Sequence, residues 1–169
     1  MTPQSSNDLI DALKASHRHL EAAAEGLSDS EALRKPSAEA WSVIDCIEHL
    51  CITEGFALRR LQAAEIAPET RTNPEKEAEQ TAQVVNRAVK IQGPPIAMPK
   101  GKFATLAAAL AELAATRDRT IEFVKACPNL TAIRVTHPVF GELTGREAAL
   151  LIAGHCRRHS AQIAEIRAM

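Results

Sequence analysis

In four stretches of this chain, apolar residues recur at intervals of three and four, a spacing that suits packed helices and not strands. Leu9, Ile10, Leu13, His17, Leu20, Ala24 and Leu27 mark a first helix from about Asn7 to Gly26. Ile44, Ile47, Leu50, Cys51, Leu58 and Leu61 mark a second, from Ser42 to about Ile66. Leu106, Leu110, Leu113, Arg117, Ile121 and Val124 mark a third, from Phe103 to Ala126. The fourth starts at Thr144 and runs to the C-terminus, with Ala148, Leu151, Ile152, His155, His159, Gln162, Ile163 and Ile166 on one stripe. Ser28 with Glu31, Ser42 with Asp45, and Thr144 with Glu147 have the spacing of N-terminal capping boxes. Strand-type alternation is scarce, and aromatics make up only 3% of the chain. The expected fold is all-α, a four-helix bundle in one domain over residues 1–169.

Between the second and third helices lies a long connection, residues 67–102, carrying Pro68, Pro74, Pro94, Pro95 and Pro99. A polar helix is expected within it, between Glu75 and Ile91. A connection of this length permits a crossover, so the helices it joins need not be antiparallel neighbours. Val135 to Leu143 is too short and broken for a helix and reads as a structured loop.

A net charge of −1 with dispersed basic residues offers no footprint for nucleic acid or an anionic membrane. No run of 18 apolar residues suggests a transmembrane helix, and the polar opening from Met1 to Asp8 lacks an apolar signal core. The expected compartment is the cytoplasm. Cys46, Cys51, Cys127 and Cys156 form no Cys-x-x-Cys pair and read as small buried hydrophobes.

Chemistry concentrates at His155 and His159. Four residues apart, they stack on one helical face, and that face is the apolar stripe. Two neutral imidazoles buried side by side need either hydrogen-bond partners or a divalent cation that takes their free nitrogens. Among further ligands, His49 is the best placed, well inside the second helix, with Asp45 one turn earlier as an acceptor for its other N–H or simply as a helix N-terminal charge. His17 lies on the first stripe and can approach the site or belong to the core. His19 falls off the stripe, and His137 reads as structural. Gln162 is either a donor behind the ligand rings or a satisfied buried amide. Arg117 either points inward, to bind an anionic substrate group or to pair with Asp or Glu, or snorkels from the bundle, which is the preferred reading.

Three motifs carry a family resemblance: Trp41-Ser42-Val43-Ile44-Asp45-Cys46-Ile47-Glu48-His49-Leu50, His137-Pro138-Val139-Phe140-Gly141-Glu142-Leu143-Thr144, and His155-x-x-x-His159-x-x-Gln162-Ile163. In order, gaps and chain length they resemble the DinB superfamily, the damage-inducible-type bundles that include bacillithiol transferase-like proteins. Residues 67–102 add nothing to the match beyond the long connection. Cys51 after the His-Leu pair is a departure, and Glu54 stands near the position where an acidic residue is common. The resemblance implies a bundle of up-down-down-up topology and a metal held by His49, His155 and His159. It also implies chemistry that is often thiol S-transfer, or isomerisation with a low-molecular-weight thiol, although many members have no assigned activity. Dimers are common in the family, so a homodimer is an expectation here.

Three imidazoles leave a cation with an open position. Such an ion, whether zinc, nickel or iron, lowers the pKa of a water or thiol into the neutral range. The leading expectation is a metal-dependent thiol S-transferase or hydrolase acting on a small electrophilic molecule. Asp45, Glu54 and Glu142 are the candidate general bases. The alternatives are a non-catalytic metal-binding or stress-response module, and a plain bundle whose core histidines are hydrogen-bonded.

Overall fold

The computed structural model describes residues 6–91 and 93–169; the polar opening Met1–Ser5 lies outside them. Among the described residues six α-helices follow in order: α1 Ser6–Ala24, α2 Asp29–Leu33, α3 Val43–Ala63, α4 Pro74–Val85, α5 Leu106–Ala126 and α6 Gly145–Arg167. Single 3₁₀ turns stand at Pro95–Ala97 and Leu130–Ala132. The long helices α1, α3, α5 and α6 are the four that periodicity predicts. All three capping boxes form, with Ser28, Ser42 and Thr144 each accepting from the backbone N–H three residues on. Each satisfies a donor that the helix itself leaves unpaired, an effect of about 1 kcal/mol.

The interior has two apolar halves. In one, Leu9 and Leu13 of α1 meet Ile121 and Val124 of α5 and Ala148 to Ala153 of α6. In the other, Leu20 of α1 meets Ile44 to Leu50 of α3, Leu113 of α5 and Ile163 of α6. Full burial of each such leucine or isoleucine contributes roughly 2 kcal/mol. Between the halves runs a polar layer: Ser16, Glu54, Arg117 and Thr120, all buried. Arg117, at 2% exposure, does not snorkel. Its Nε and Nη2 donate to the two carboxylate oxygens of Glu54 at 2.8 and 2.9 Å, and its Nη1 donates to Ser16 Oγ at 2.9 Å and to the Leu13 carbonyl.

Part of the long connection folds back on the bundle. Its helix, α4, is shorter than expected: Asn86 turns extended, and its side-chain oxygen accepts from the Ala88 N–H, which stops the helix. The helix packs across α6 at Gly154, where an added Cβ would stand 2.5 Å from Val84 Cγ1. Glycine there lets α4 come close, one residue before His155. Farther along, the buried Glu48 carboxylate accepts the backbone N–H groups of Lys100, Gly101 and Lys102 at 2.7 to 3.1 Å, fixing the end of the connection on α3.

The segment read as a structured loop is a β-hairpin, β1 Arg134–His137 against β2 Gly141–Thr144, with His137 opposite Gly141. Four-residue strands are too short to display an alternation that stands out in sequence. The turn chemistry is legible afterwards. Pro138 enters the turn, Gly141 takes φ +69°, and His137 Nδ1 accepts from the N–H groups of Val139 and Phe140. His137 is thus a structural residue of the turn. Among the described residues, no helix is long and apolar enough to cross a membrane.

Candidate metal centre

His49, from the second turn of α3, and His155 and His159, from successive turns of α6, converge. Among the described residues they are the one group of three or more potential ligands gathered closely enough to hold an ion. His155 Nε2 lies 3.2 Å from His49 Nε2 and 3.0 Å from His159 Nε2. Two nitrogens on one zinc ion, each about 2.0–2.1 Å away at a tetrahedral angle, would stand about 3.3–3.4 Å apart. The observed separations are close to that spacing.

The outer nitrogens determine what the inner ones can be. His49 Nδ1 is 2.7 Å from the Ala97 carbonyl oxygen, which only accepts, so Nδ1 carries the proton. His159 Nδ1 donates to Gln162 Oε1 at 2.9 Å. His155 Nδ1 makes a longer, 3.4 Å contact with Thr53 Oγ1, whose own hydrogen goes to the His49 carbonyl at 2.9 Å, so the ring is again the donor. With all three protons turned outward, three neutral rings present only lone pairs to one another. No donor remains among them, and a cation is what such a donor set fits.

Trp41 stands against this cluster. Its ring centroid is 4.8 Å from that of His49 and 5.9 Å from that of His159, nearly parallel to the latter. The residue sits just before the α3 N-cap, so the capping box that starts the helix also places the indole over two of the rings.

Burial keeps the rings neutral. It lowers the pKa of His49 against the opposing effect of the Ala97 hydrogen bond, and lowers that of His159 further, helped by the neighbouring His155 and His49. At His155 burial, reinforced by His49, Arg158 and His137, brings the pKa down to about 3. The residue keeps some surface exposure, but its Nε2 lies between the other two rings. In the unfolded chain the ring takes up a proton near its ordinary 6.5. Below that pH the unfolded state therefore binds more protons than the folded one, so stability is full above about 6.5 and falls as pH drops toward about 3. The expected slope in metal-free protein is up to about 1.4 kcal/mol per pH unit for each ring held neutral. Urea midpoints between about pH 6.5 and 5, above the carboxylate range, check this; a flat profile there contradicts neutral buried rings.

The other sequence candidates lie elsewhere. Asp45 does not accept from His49. Its carboxylate takes the Ser42 N–H at 2.9 Å and pairs with Lys35 at 3.2 Å, so it serves the helix N-terminus. Glu54 is committed to Arg117 and Thr120, and the exposed Glu142 to Arg71. His17 pairs with Glu21 at 3.4 Å, and His19 is exposed. Gln162 faces the site as an acceptor rather than as a donor. Burial pushes the Cys46 and Cys51 thiols up to about 12, which leaves neither as a ready thiolate. Sequence reading missed four contributors. Thr53 had a signal in its position four residues after His49, and Trp41 in its motif. The Ala97 carbonyl and Arg87, behind Gln162, had none.

Residues 12–163 match the family model of the DinB superfamily. The chain is 31% identical over 145 residues to the uncharacterized protein YuaE of Bacillus subtilis (strain 168), an alignment spanning 84% of this chain and 86% of YuaE. Among solved structures, YfiT from Bacillus subtilis, described as a probable metal-dependent hydrolase with an unusual four-helix bundle topology, matches with a TM-score of 0.67 at 20% identity, over 99% of this chain and 89% of YfiT. TT2238, described as a four-helix bundle protein, matches with a TM-score of 0.56 at 17% identity, over 98% of this chain and all of the other. At these identities the two structures share the fold.

Proposed function

The chain belongs to the DinB superfamily, and on that premise we propose that it is a metal-dependent enzyme whose His49, His155 and His159 hold one divalent cation, zinc, nickel or iron. The observation that carries this reading is the set of three Nε2 lone pairs facing one another with every Nδ1–H bonded outward. A cation held there supplies a Lewis acid that brings a water or thiol toward its anionic form near neutral pH. The chain's own residues supply the rest. Ala97 O, Thr53 and Gln162 orient the rings, and Trp41 covers the His49 and His159 side. Of the three rings, His155 is the one that keeps some surface exposure.

Asp45, Glu54 and Glu142 are each engaged elsewhere, so none serves as general base. This favours a reaction in which the cation alone activates the nucleophile: S-transfer from a low-molecular-weight thiol to a small electrophile, or hydrolysis, the activity in the description of the fold-sharing YfiT. The same observation favours the second reading, a non-catalytic metal-binding module. We further propose one domain over 1–169 with an up-down-down-up course. Contacts that advance in the same direction along α1 and α6 (Asp8 with Arg146, Ser16 with Cys156, Ala23 with Arg167) support that course, as do those along α3 and α5 (Cys51 with Ala109, Glu54 with Thr120).

The test pairs metal-loaded and metal-free protein against thiol–electrophile pairs and a panel of esters and amides. Turnover by the loaded form alone is expected. Stoichiometric metal without turnover favours the module instead.

A further inference from the structure

Glutamine has two ways to face a histidine, and only one suits a ligand. With its oxygen toward His159 Nδ1, the amide holds the proton on that nitrogen and leaves the Nε2 lone pair facing inward. With its NH₂ there, it donates to Nδ1 and moves the proton to Nε2, which then cannot bind a cation. The amide's own shape scarcely distinguishes the two.

A third residue does. Arg87, in the connection after α4, donates from Nη1 to the same Gln162 Oε1 at 3.2 Å. A guanidinium has no acceptor, so the atom between Arg87 and His159 must be oxygen. The guanidinium is itself held by two parallel bonds to Glu165, Nε to Oε1 at 3.1 Å and Nη2 to Oε2 at 2.7 Å. The backbone around it is tied down as well. Arg158 on α6 donates to the carbonyls of Val84, Asn86 and Val89. One face of α6 thus carries two of the rings, the amide, the carboxylate that aims Arg87 and the arginine that fastens its segment.

We propose that Arg87 is a positioning residue of the histidine site: it holds the Gln162 amide with its oxygen toward His159 and so selects the His159 tautomer able to bind a cation. The proposal rests on the metal reading above and assigns a role to a segment that carries no family motif.

The experiment is a double-mutant cycle with Ni(II) as the probe. Binding is read from quenching of Trp41, the single tryptophan, whose ring lies 4.8 Å from that of His49, and is checked by chelator competition. In the wild-type background, Arg87→Ala weakens Ni(II) affinity about tenfold, the lower end of what loss of a partner behind a ligand costs. In the Gln162→Glu background the same substitution causes no weakening, because a carboxylate offers an oxygen in either orientation. Equal weakening in both backgrounds means that Arg87 only fastens the connection, and overturns the proposal. So does unchanged affinity of Arg87→Ala in the wild-type background. Absence of Ni(II) binding by the wild-type protein overturns the metal reading itself, and the role of Arg87 with it.

Discussion

Replacement of His155 by alanine lowers bound metal from about one equivalent per chain to roughly a tenth of that or less. The reason lies in the position of its ring. His155 Nε2 is the nitrogen shared by both short separations, 3.2 Å to His49 and 3.0 Å to His159, so its removal leaves two neutral donors without the one between them. Neutral imidazoles bring no charge to the cation, and two of them make a poor site. Elemental analysis of purified protein, after equilibration with zinc or nickel and removal of excess, measures the loss. His137→Ala is the control, because that ring accepts from the hairpin turn and keeps its equivalent of metal. The metal-free His155→Ala protein unfolds at a temperature no lower than the metal-free parent, because the substitution removes a half-buried ring whose lone pair faces two others. Retention of a full equivalent by the variant would place the ion elsewhere and sink the three-histidine site.

The sequence made the helices and the ligand rings legible for the same reason. Residues that meet across a helical core repeat at three and four, and His155, His159 and Gln162 obey that rule as fully as Leu151 and Ile163. His49 stands out by its place well inside the second helix, and the Trp-Ser motif before it adds to that reading. The orientation of the rings was not legible. The partner of His49 is the Ala97 backbone carbonyl, an atom every residue carries, delivered by a connection whose path no periodicity encodes. Asp45 looked suitable because it lies one turn away, but its capping bonds to Ser42 take precedence. Arg117 looked like a bundle-edge cation because its partner, Glu54, is 63 positions away in the chain and only the packing of α3 on α5 brings them together.

That last pair sets the second large effect. Glu54→Leu, which removes two of the four hydrogen bonds of the buried Arg117 guanidinium, destabilises the protein by about 3–5 kcal/mol. For a chain of this size that lowers the melting temperature by roughly 10 °C. The size of the penalty comes from desolvation: Arg117 and Glu54 are 2% and 4% exposed, so water cannot replace the lost carboxylate. Replacing both partners, Glu54→Leu with Arg117→Met, should cost much less than Glu54→Leu alone. The remaining hydroxyls keep partners within their own helices, Ser16 on the Leu13 carbonyl at 2.9 Å and Thr120 on the Thr116 carbonyl at 3.2 Å, so no polar atom is stranded. Urea unfolding of the two single variants and the double variant closes the cycle. A double variant as unstable as the sum of the singles would mean that the pair contributes packing and not charge complementarity. Metal content separates this layer from the histidine site: Glu54→Leu keeps its equivalent of metal below its unfolding transition, because Glu54 touches Arg117 and Thr120 and none of the three rings.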